Sequence, residues 1–275
     1  MSDNPEIGQF IDAGGIKTNY HDLGEGEPTV LIHGSGPGVT GFANWAKSLP
    51  TLSEKMRVIA PDMLGFGYTE TPEGAEYTLE NWVKHLVGLL DALNIEKANL
   101  VGNSFGGALT LAMAIAHPER VNRIILMGAA GVNFELTEGL DFTWGYTPSV
   151  ENMKKMLDLF AYSRELVSDD LARMRFEASN RPGVQERFAA MFPAPRQRSI
   201  EALASDEDDI RKIQAPALII HGREDVILPY TNSLKMFELL PNAQLHMIGK
   251  CGHWTQIEHT RRFNSMLIDF ICDDQ

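Results

Sequence analysis

Short apolar runs alternate with longer segments of helical period along most of this chain, and that alternation restricts the fold more tightly than any other feature. The runs are 29–32 ahead of His33-Gly34, 57–60 ahead of Pro61-Asp62, 98–101 ahead of Gly102, 123–127, 217–220 ahead of His221-Gly222, and 244–248. Most are unbroken Val, Ile and Leu rather than alternating, the pattern of parallel strands covered on both faces. Between two of them, Leu79, Trp82, Val83, Leu86, Leu90 and Leu93 share one helical face behind Thr78, a suitable N-cap. Residues 8–13 and 16–22, around Gly14-Gly15, predict an opening hairpin. Strands alternating with amphipathic helices predict an α/β core with a mainly parallel sheet.

The rhythm breaks between residues 134 and 199, where only helical patterns occur. Val150, Met153, Met156, Leu157 and Phe160 form one face, Leu171, Met174 and Ala178 a second, and Val184, Phe188 and Met191 a third. Four of the 12 methionines lie here. Methionine adapts its shape, so the stretch reads either as a lid over an apolar pocket or as ordinary helix cores. A chain of 275 residues, at about 150 per domain, fits one large domain carrying such an insertion.

Composition excludes several partners. The net charge is −13 with no basic run, which disfavours nucleic acid and anionic membrane surfaces. Cys251 and Cys272 are the whole cysteine complement, too few for a secreted disulfide framework. The start, MSDNPEIGQF, is polar, and no apolar stretch approaches the ~18 residues of a membrane span. The expected location is the cytoplasm.

Chemistry concentrates in Gly102-Asn103-Ser104-Phe105-Gly106, a G-x-S-x-G string between an apolar strand and the helix-forming run 108–116. At a sharp strand-to-helix turn, Gly102 and Gly106 permit close packing that a side chain would block. The turn lifts the Ser104 hydroxyl above the sheet and brings the Phe105 N–H to a helix start, where an oxyanion is stabilised. The competing reading is a phosphate loop or a simple helix cap. A serine nucleophile needs a base, and the base an orienting acid. In the α/β-hydrolase order these follow as acid, then histidine, each beyond a strand. Asp225 follows the run 217–220 and His253 follows 244–248. Glu224 is the competing acid, with Asp225 preferred on its G-x-x-D spacing. The loop His33-Gly34-Ser35-Gly36-Pro37-Gly38 would give the second oxyanion N–H at Ser35, with Gly36 as the alternative. His33 reads as structural, Asp62 as a turn-former and Cys251 as packing. Arg175 lies on the apolar face of a helix with Leu171, Met174 and Ala178, where a guanidinium needs an anionic partner. That partner is either a substrate carboxylate or a carboxylate of this acidic protein. Asn44 and Asn103 are polar groups near the oxyanion side, and Phe160 and Trp254 are apolar neighbours.

Taken together, HGSGPGVT (33–40), APDMLGFGYTE (60–70), VGNSFGGAL (101–109), LMGAAG (126–131), TEGLDFTWGYTPS (137–149), AMFPAPRQR (190–198), HGRED (221–225) and CGHWTQIEH (251–259) resemble the meta-cleavage product hydrolases of bacterial aromatic-ring degradation. The likeness runs nearly end to end. It implies an α/β-hydrolase fold, with a mainly parallel eight-stranded sheet flanked by helices and a helical lid inserted after the sixth strand. Core 1–133 and 200–275 would enclose lid 134–199.

The same resemblance implies Ser104 as nucleophile, His253 as base and Asp225 as orienter, with oxyanion amides near Ser35 and at Phe105. Arg175 and Asn103, with Asn44, would hold the carboxylate and 2-oxygen end of a ring-opened dienoate, and Phe160 and Trp254 would line the pocket near the scissile bond. Ser35 departs from the glycine found in relatives acting on biphenyl products, which bears on the choice of loop donor. The implied reaction is hydrolysis of the C5–C6 bond of a 2-hydroxy-6-oxohexa-2,4-dienoate to 2-hydroxypenta-2,4-dienoate and a carboxylic acid. No metal or organic cofactor is implied, and the protein is expected to form a homo-oligomer. A carboxylesterase or lactonase would share the triad and lid without needing Arg175.

Overall fold

The computed structural model describes residues 4–272. Eight strands form one sheet: β1 (Gln9–Asp12), β2 (Lys17–Leu23), β3 (Pro28–Ile32), β4 (Arg57–Pro61), β5 (Ala98–Asn103), β6 (Val121–Met127), β7 (Ala217–Gly222) and β8 (Ala243–Ile248). Their order across the sheet is β1-β2-β4-β3-β5-β6-β7-β8. β1–β2 and β2–β4 pair antiparallel, and every other neighbouring pair is parallel. The opening hairpin and the six runs thus become strands within a residue or two of the predicted limits.

The unbroken runs feed two cores. Along β3, Val30 and Ile32 join the layer on one face and Leu31 the layer on the other, because successive side chains point to opposite faces. After α1 (Gly41–Trp45), the helices α2 (Leu79–Ala92) and α3 (Phe105–Ala116) cover the first face. Thr78 caps α2 by accepting the Asn81 N–H at 3.2 Å. The second face is closed by Trp45 and by Phe263 and Leu267 of the C-terminal helix Thr260–Cys272, with Trp45 and Phe263 stacked at 5.9 Å. Among the described residues, no helix is long and apolar enough to cross a membrane.

Between β6 and β7 the chain is helical: α4 (Glu138–Trp144), α5 (Val150–Phe160), α6 (Asp169–Ser179), α7 (Val184–Met191) and α8 (Gln197–Leu203). The insertion therefore follows the sixth strand, as expected. α8 runs across residue 199 and contacts α3 of the core. Met153, Met156 and Met191 are buried, but Met174 is 55% exposed. The expected apolar face of α6 is off by one position. Ala172 and Ser179 are its buried residues, and at helical spacing they turn Met174 to solvent while Arg175 faces inward.

Two buried histidines anchor the loop after β4. His33 Nδ1 donates to the Gly34 carbonyl at 2.7 Å, and its Nε2 accepts the Met63 N–H at 3.0 Å. His85 Nδ1 accepts the Leu64 N–H at 3.1 Å, and its Nε2 lies 2.7 Å from Thr18 Oγ1. Burial pushes both imidazoles down to about 4. Asp62, also buried, accepts N–H bonds from Gly41, Tyr68 and the Asn19 amide, and so fixes the start of α1. Burial pushes its carboxyl up to about 7 against the pull of those donors.

These shifts have opposite signs in stability. Below pH 6.5 the two histidines take up protons only on unfolding, whereas Asp62 holds a proton in the folded state that the unfolded chain releases above 3.8. The balance is one net proton gained on unfolding, so stability falls with decreasing pH, by about 1.4 kcal/mol per unit. His21, held low by partial burial, adds in the same sense. Urea-unfolding free energies measured between pH 6.5 and about 4 should follow that slope, and Asp62→Asn should roughly double it. An unchanged slope in the variant would refute the opposing contribution of Asp62.

Candidate active site

Ser104 sits at the end of β5 with φ 54° and ψ −116°, a backbone conformation that L-residues rarely adopt. Two close approaches hold it there. A Cβ on Gly102 would lie 2.2 Å from the Gly106 carbonyl oxygen, and one on Gly106 would lie 2.5 Å from the Ile32 carbonyl oxygen. The Ser104 N–H donates to Met127 of β6 at 3.0 Å, and its carbonyl accepts from Gly107 and Ala130. Phe105 is the first residue of α3, so its N–H has no intrahelical acceptor and stands at the positive end of the helix. The Phe105 ring is buried against Trp82 in an edge-to-face contact at 4.7 Å and against Phe66 at 5.4 Å. The kink is clamped by the neighbouring strand β6 and by the aromatic cluster of one core layer.

Asp225 follows β7 and is buried. Its Oδ2 accepts from His253 Nδ1 at 2.7 Å, and its Oδ1 accepts the N–H groups of Ile227 and Leu228 at 2.8 and 3.0 Å. Burial alone would raise this carboxyl. The pull of His253 and His221 outweighs it and holds the group well below the usual carboxylate range. With Nδ1–H committed to the carboxylate, Nε2 of His253 is the nitrogen left to accept a proton. Ser104 and His253 line the same cavity. Glu224, the competing acid, is engaged elsewhere: it accepts the Cys251 N–H at 3.1 Å and pairs with Arg223. Cys251 is fully buried and its thiol is pushed up to about 12 by that burial, which leaves it inert beside the histidine.

The cavity has a volume of about 340 Å³. Gly34, Ser35 and Gly36, the residues of both candidate loop donors, form part of its wall. The Ser35 hydroxyl accepts from Trp144 Nε1 at 3.0 Å, and Trp144 stacks flat on Phe192 at 4.4 Å. Asn103, Asn44, Phe160, Arg175 and Trp254 line the same cavity. Asn103 Nδ2 donates to the Met127 carbonyl at 3.3 Å. Asn44 Oδ1 accepts the Gly34 N–H at 3.4 Å, while its buried Nδ2 has no hydrogen-bond partner among the described residues. Phe160 packs against Trp254 at 5.4 Å and His253 at 5.6 Å. Arg175, whose partner the sequence left open, pairs with a carboxylate of the protein: Nη1 lies 2.6 Å from Glu6 Oε1, and Nη2 donates to the Gly38 carbonyl at 2.5 Å.

Several residues at the site escaped the sequence reading. Glu258 accepts the Gly252 N–H at 2.7 Å and the Ser163 N–H at 2.9 Å, tying the histidine loop to the segment after α5. The N–H groups of His253 and Trp254 both reach the Phe160 carbonyl at the end of α5. The helical insertion therefore holds the loop that carries His253. His221 is a second histidine against Asp225, with Nε2 3.3 Å from Oδ2 and Nδ1 2.6 Å from Ser233 Oγ. The signal for Glu258 and His221 in the sequence is their place within CGHWTQIEH (251–259) and HGRED (221–225).

Gly128 joins β6 to the site with φ +47°, and a Cβ there would lie 3.3 Å from both Asp225 Oδ2 and His253 Nδ1. A methyl group would wedge against the acid–base pair, and the left-handed backbone would itself cost about 1–2 kcal/mol. Gly128→Ala should therefore lower kcat for p-nitrophenyl acetate hydrolysis by roughly 10-fold or more, with a melting temperature reduced by only a few degrees. An unaltered kcat would show that the pair tolerates displacement.

Comparison with known proteins agrees with this geometry. Residues 28–260 match the family model described as the alpha/beta hydrolase fold. The chain is 59% identical over 269 residues to a 2-hydroxy-6-oxo-2,4-heptadienoate hydrolase of Pseudomonas putida, covering 98% of each chain. It is 58% identical to a 2-hydroxymuconate semialdehyde hydrolase of a Pseudomonas species, covering 98% of this chain and 95% of the relative. Among solved structures, a meta-cleavage product hydrolase from Pseudomonas fluorescens, a mutant complexed with acetates, superposes with a TM-score of 0.96 at 58% identity, over 97% of this chain and 98% of the other. With a strained serine elbow, a buried Asp–His pair and a helical insertion above one cavity, the chain belongs to the alpha/beta hydrolase fold family and, within it, to the meta-cleavage product hydrolases.

Proposed function

We propose that this protein hydrolyses the C5–C6 bond of a ring-opened 2-hydroxy-6-oxohexa-2,4-dienoate through an acyl-enzyme on Ser104. The observation that carries the reading is the polarity of the cavity that holds Ser104 and His253. Arg175, Asn103 and Asn44 lie along its wall with Ser104 and His253. Leu140, Met153, Met156, Leu157 and Ile227 make much of the remainder apolar. A guanidinium with N–H donors beyond its bonds to Glu6 and Gly38, together with side-chain amides, in an otherwise apolar cavity suits a substrate with a carboxylate and 2-oxygen at one end and a hydrocarbon chain at the other.

The carbon leaving group dictates the order of events. The dienol first ketonises, taking a proton at C5, so that C2 becomes a carbonyl conjugated to C3–C4. His253 Nε2 takes the Ser104 proton, and Oγ adds to the C6 carbonyl, whose oxyanion meets the Phe105 N–H and an N–H of the 33–38 loop. The C5–C6 bond then breaks. Its electron pair passes through the C3–C4 unsaturation to the 2-oxygen, which takes the proton and leaves as 2-hydroxypenta-2,4-dienoate. Water, deprotonated by His253, opens the acyl-enzyme and returns the proton to Ser104. Arg175 and the asparagines stabilise the 2-oxygen end, where charge accumulates during cleavage.

The test compares turnover of 6-methyl, 6-isopropyl and 6-phenyl dienoates, followed by loss of visible absorbance, with hydrolysis of an aryl ester. Dienoate cleavage is expected, and Ser104→Ala should abolish it while the dienoate spectrum still reports binding. Activity confined to esters would favour a carboxylesterase or lactonase and overturn the carbon–carbon reading.

A further inference from the structure

We propose that Glu6 is a positioning residue for the dienoate reaction: it holds the Arg175 guanidinium at the cavity wall in the empty enzyme, ready for a substrate carboxylate. The inference rests on the dienoate reading above. Both side chains of the pair are only 14% exposed, with Glu6 Oε1 2.6 Å from Arg175 Nη1. Glu6 is itself fastened at three further points. Its Oε2 accepts from Thr40 Oγ1 at 3.2 Å, its carbonyl accepts from Asn19 Nδ2 at 2.9 Å, and its N–H donates to Asn4 Oδ1 at 3.0 Å. Thr40 is also the N-cap of α1, the helix that carries Asn44. One carboxylate thus ties together the first segment of the chain, the end of the oxyanion loop and the inserted helix α6.

Geometry explains why such a tether is needed. A guanidinium on the inward face of α6 would lose hydration without a partner, and its long side chain would gain by turning out to water. The Gly38 carbonyl accepts from Nη2 at 2.5 Å. α6 also sits against this loop so closely that a Cβ on Gly38 would lie 2.6 Å from the Ser179 nitrogen. Glu6 neutralises the charge and takes one edge of the fork. A guanidinium has five N–H donors, so those outside these two bonds remain for a ligand. Ordering the fork before substrate arrives removes an entropy cost from binding. That benefit falls on substrates that carry the carboxylate and not on a neutral ester, which needs only the triad.

The experiment measures kcat and KM for the 6-methyl dienoate and kcat/KM for p-nitrophenyl acetate in wild type, Glu6→Ala, Glu6→Gln, Arg175→Ala and the Glu6→Ala/Arg175→Ala double variant. Glu6→Ala should raise the dienoate KM and lower the dienoate-to-ester ratio of kcat/KM, each by about 10-fold. Glu6→Gln, which keeps an acceptor oxygen, should recover part of the ratio. In an Arg175→Ala background, Glu6→Ala should change the ratio no further. Equal losses on both substrates would reduce Glu6 to a structural strap, and a lowered dienoate KM would make it a competitor of the substrate; either result overturns the proposal. If Glu6→Ala melts early, the Glu6→Gln ratio decides alone. A wild type that cleaves only the ester removes the dienoate reading itself, whereas dienoate cleavage with an unshifted ratio in the variants removes only the role of Glu6.

Discussion

The close approach of backbone to backbone at Gly102 and Gly106 is the constraint on which the rest of this protein depends. Only where no Cβ intervenes does β5 turn into α3 sharply enough to hold Ser104 at φ 54°. The strained residue is over-determined by its surroundings, with a strand bond to Met127 below and the Phe105 ring buried against Trp82 and Phe66 beside it. From that single kink follow the exposure of the hydroxyl to the cavity and the free N–H at the helix start. The sheet order then brings β7 and β8 alongside β6, so that Asp225 and His253 emerge on the same edge as Ser104.

Positioning of His253 is shared between core and insertion. Asp225 orients the imidazole from below, while the Phe160 carbonyl and the Glu258 carboxylate hold the backbone of residues 252–254 from the side of α5. Glu224, chemically equal to Asp225, is turned outward onto the Cys251 N–H. A carboxylate there stiffens the histidine loop. The two adjacent acids take different partners because the turn beyond β7 aims Asp225 at His253 and Glu224 at the Cys251 N–H.

Legibility in the sequence followed the range of the forces involved. The strands were readable because β3 to β7 are buried on both faces and demand unbroken branched residues. The elbow was readable because its glycines answer a local steric demand. Met174 was misread because a three-residue helical pattern fits two adjacent faces of α6 almost equally well, and only packing against the core selects one. The partner of Arg175 was hidden for a different reason: Glu6 lies 169 residues away in the chain, and nothing in the composition of either segment links them.

By itself, therefore, the sequence determined what local sterics and periodicity can impose: the strand and helix pattern, the kinked serine, the order of acid and histidine, and the loop of small residues facing them. The tertiary structure alone decided which carboxylate meets His253, which meets Arg175, and which methionine faces water. Those outcomes depend on contacts between segments remote in sequence, whose geometry exists only once the sheet order and the docking of the inserted helices are set.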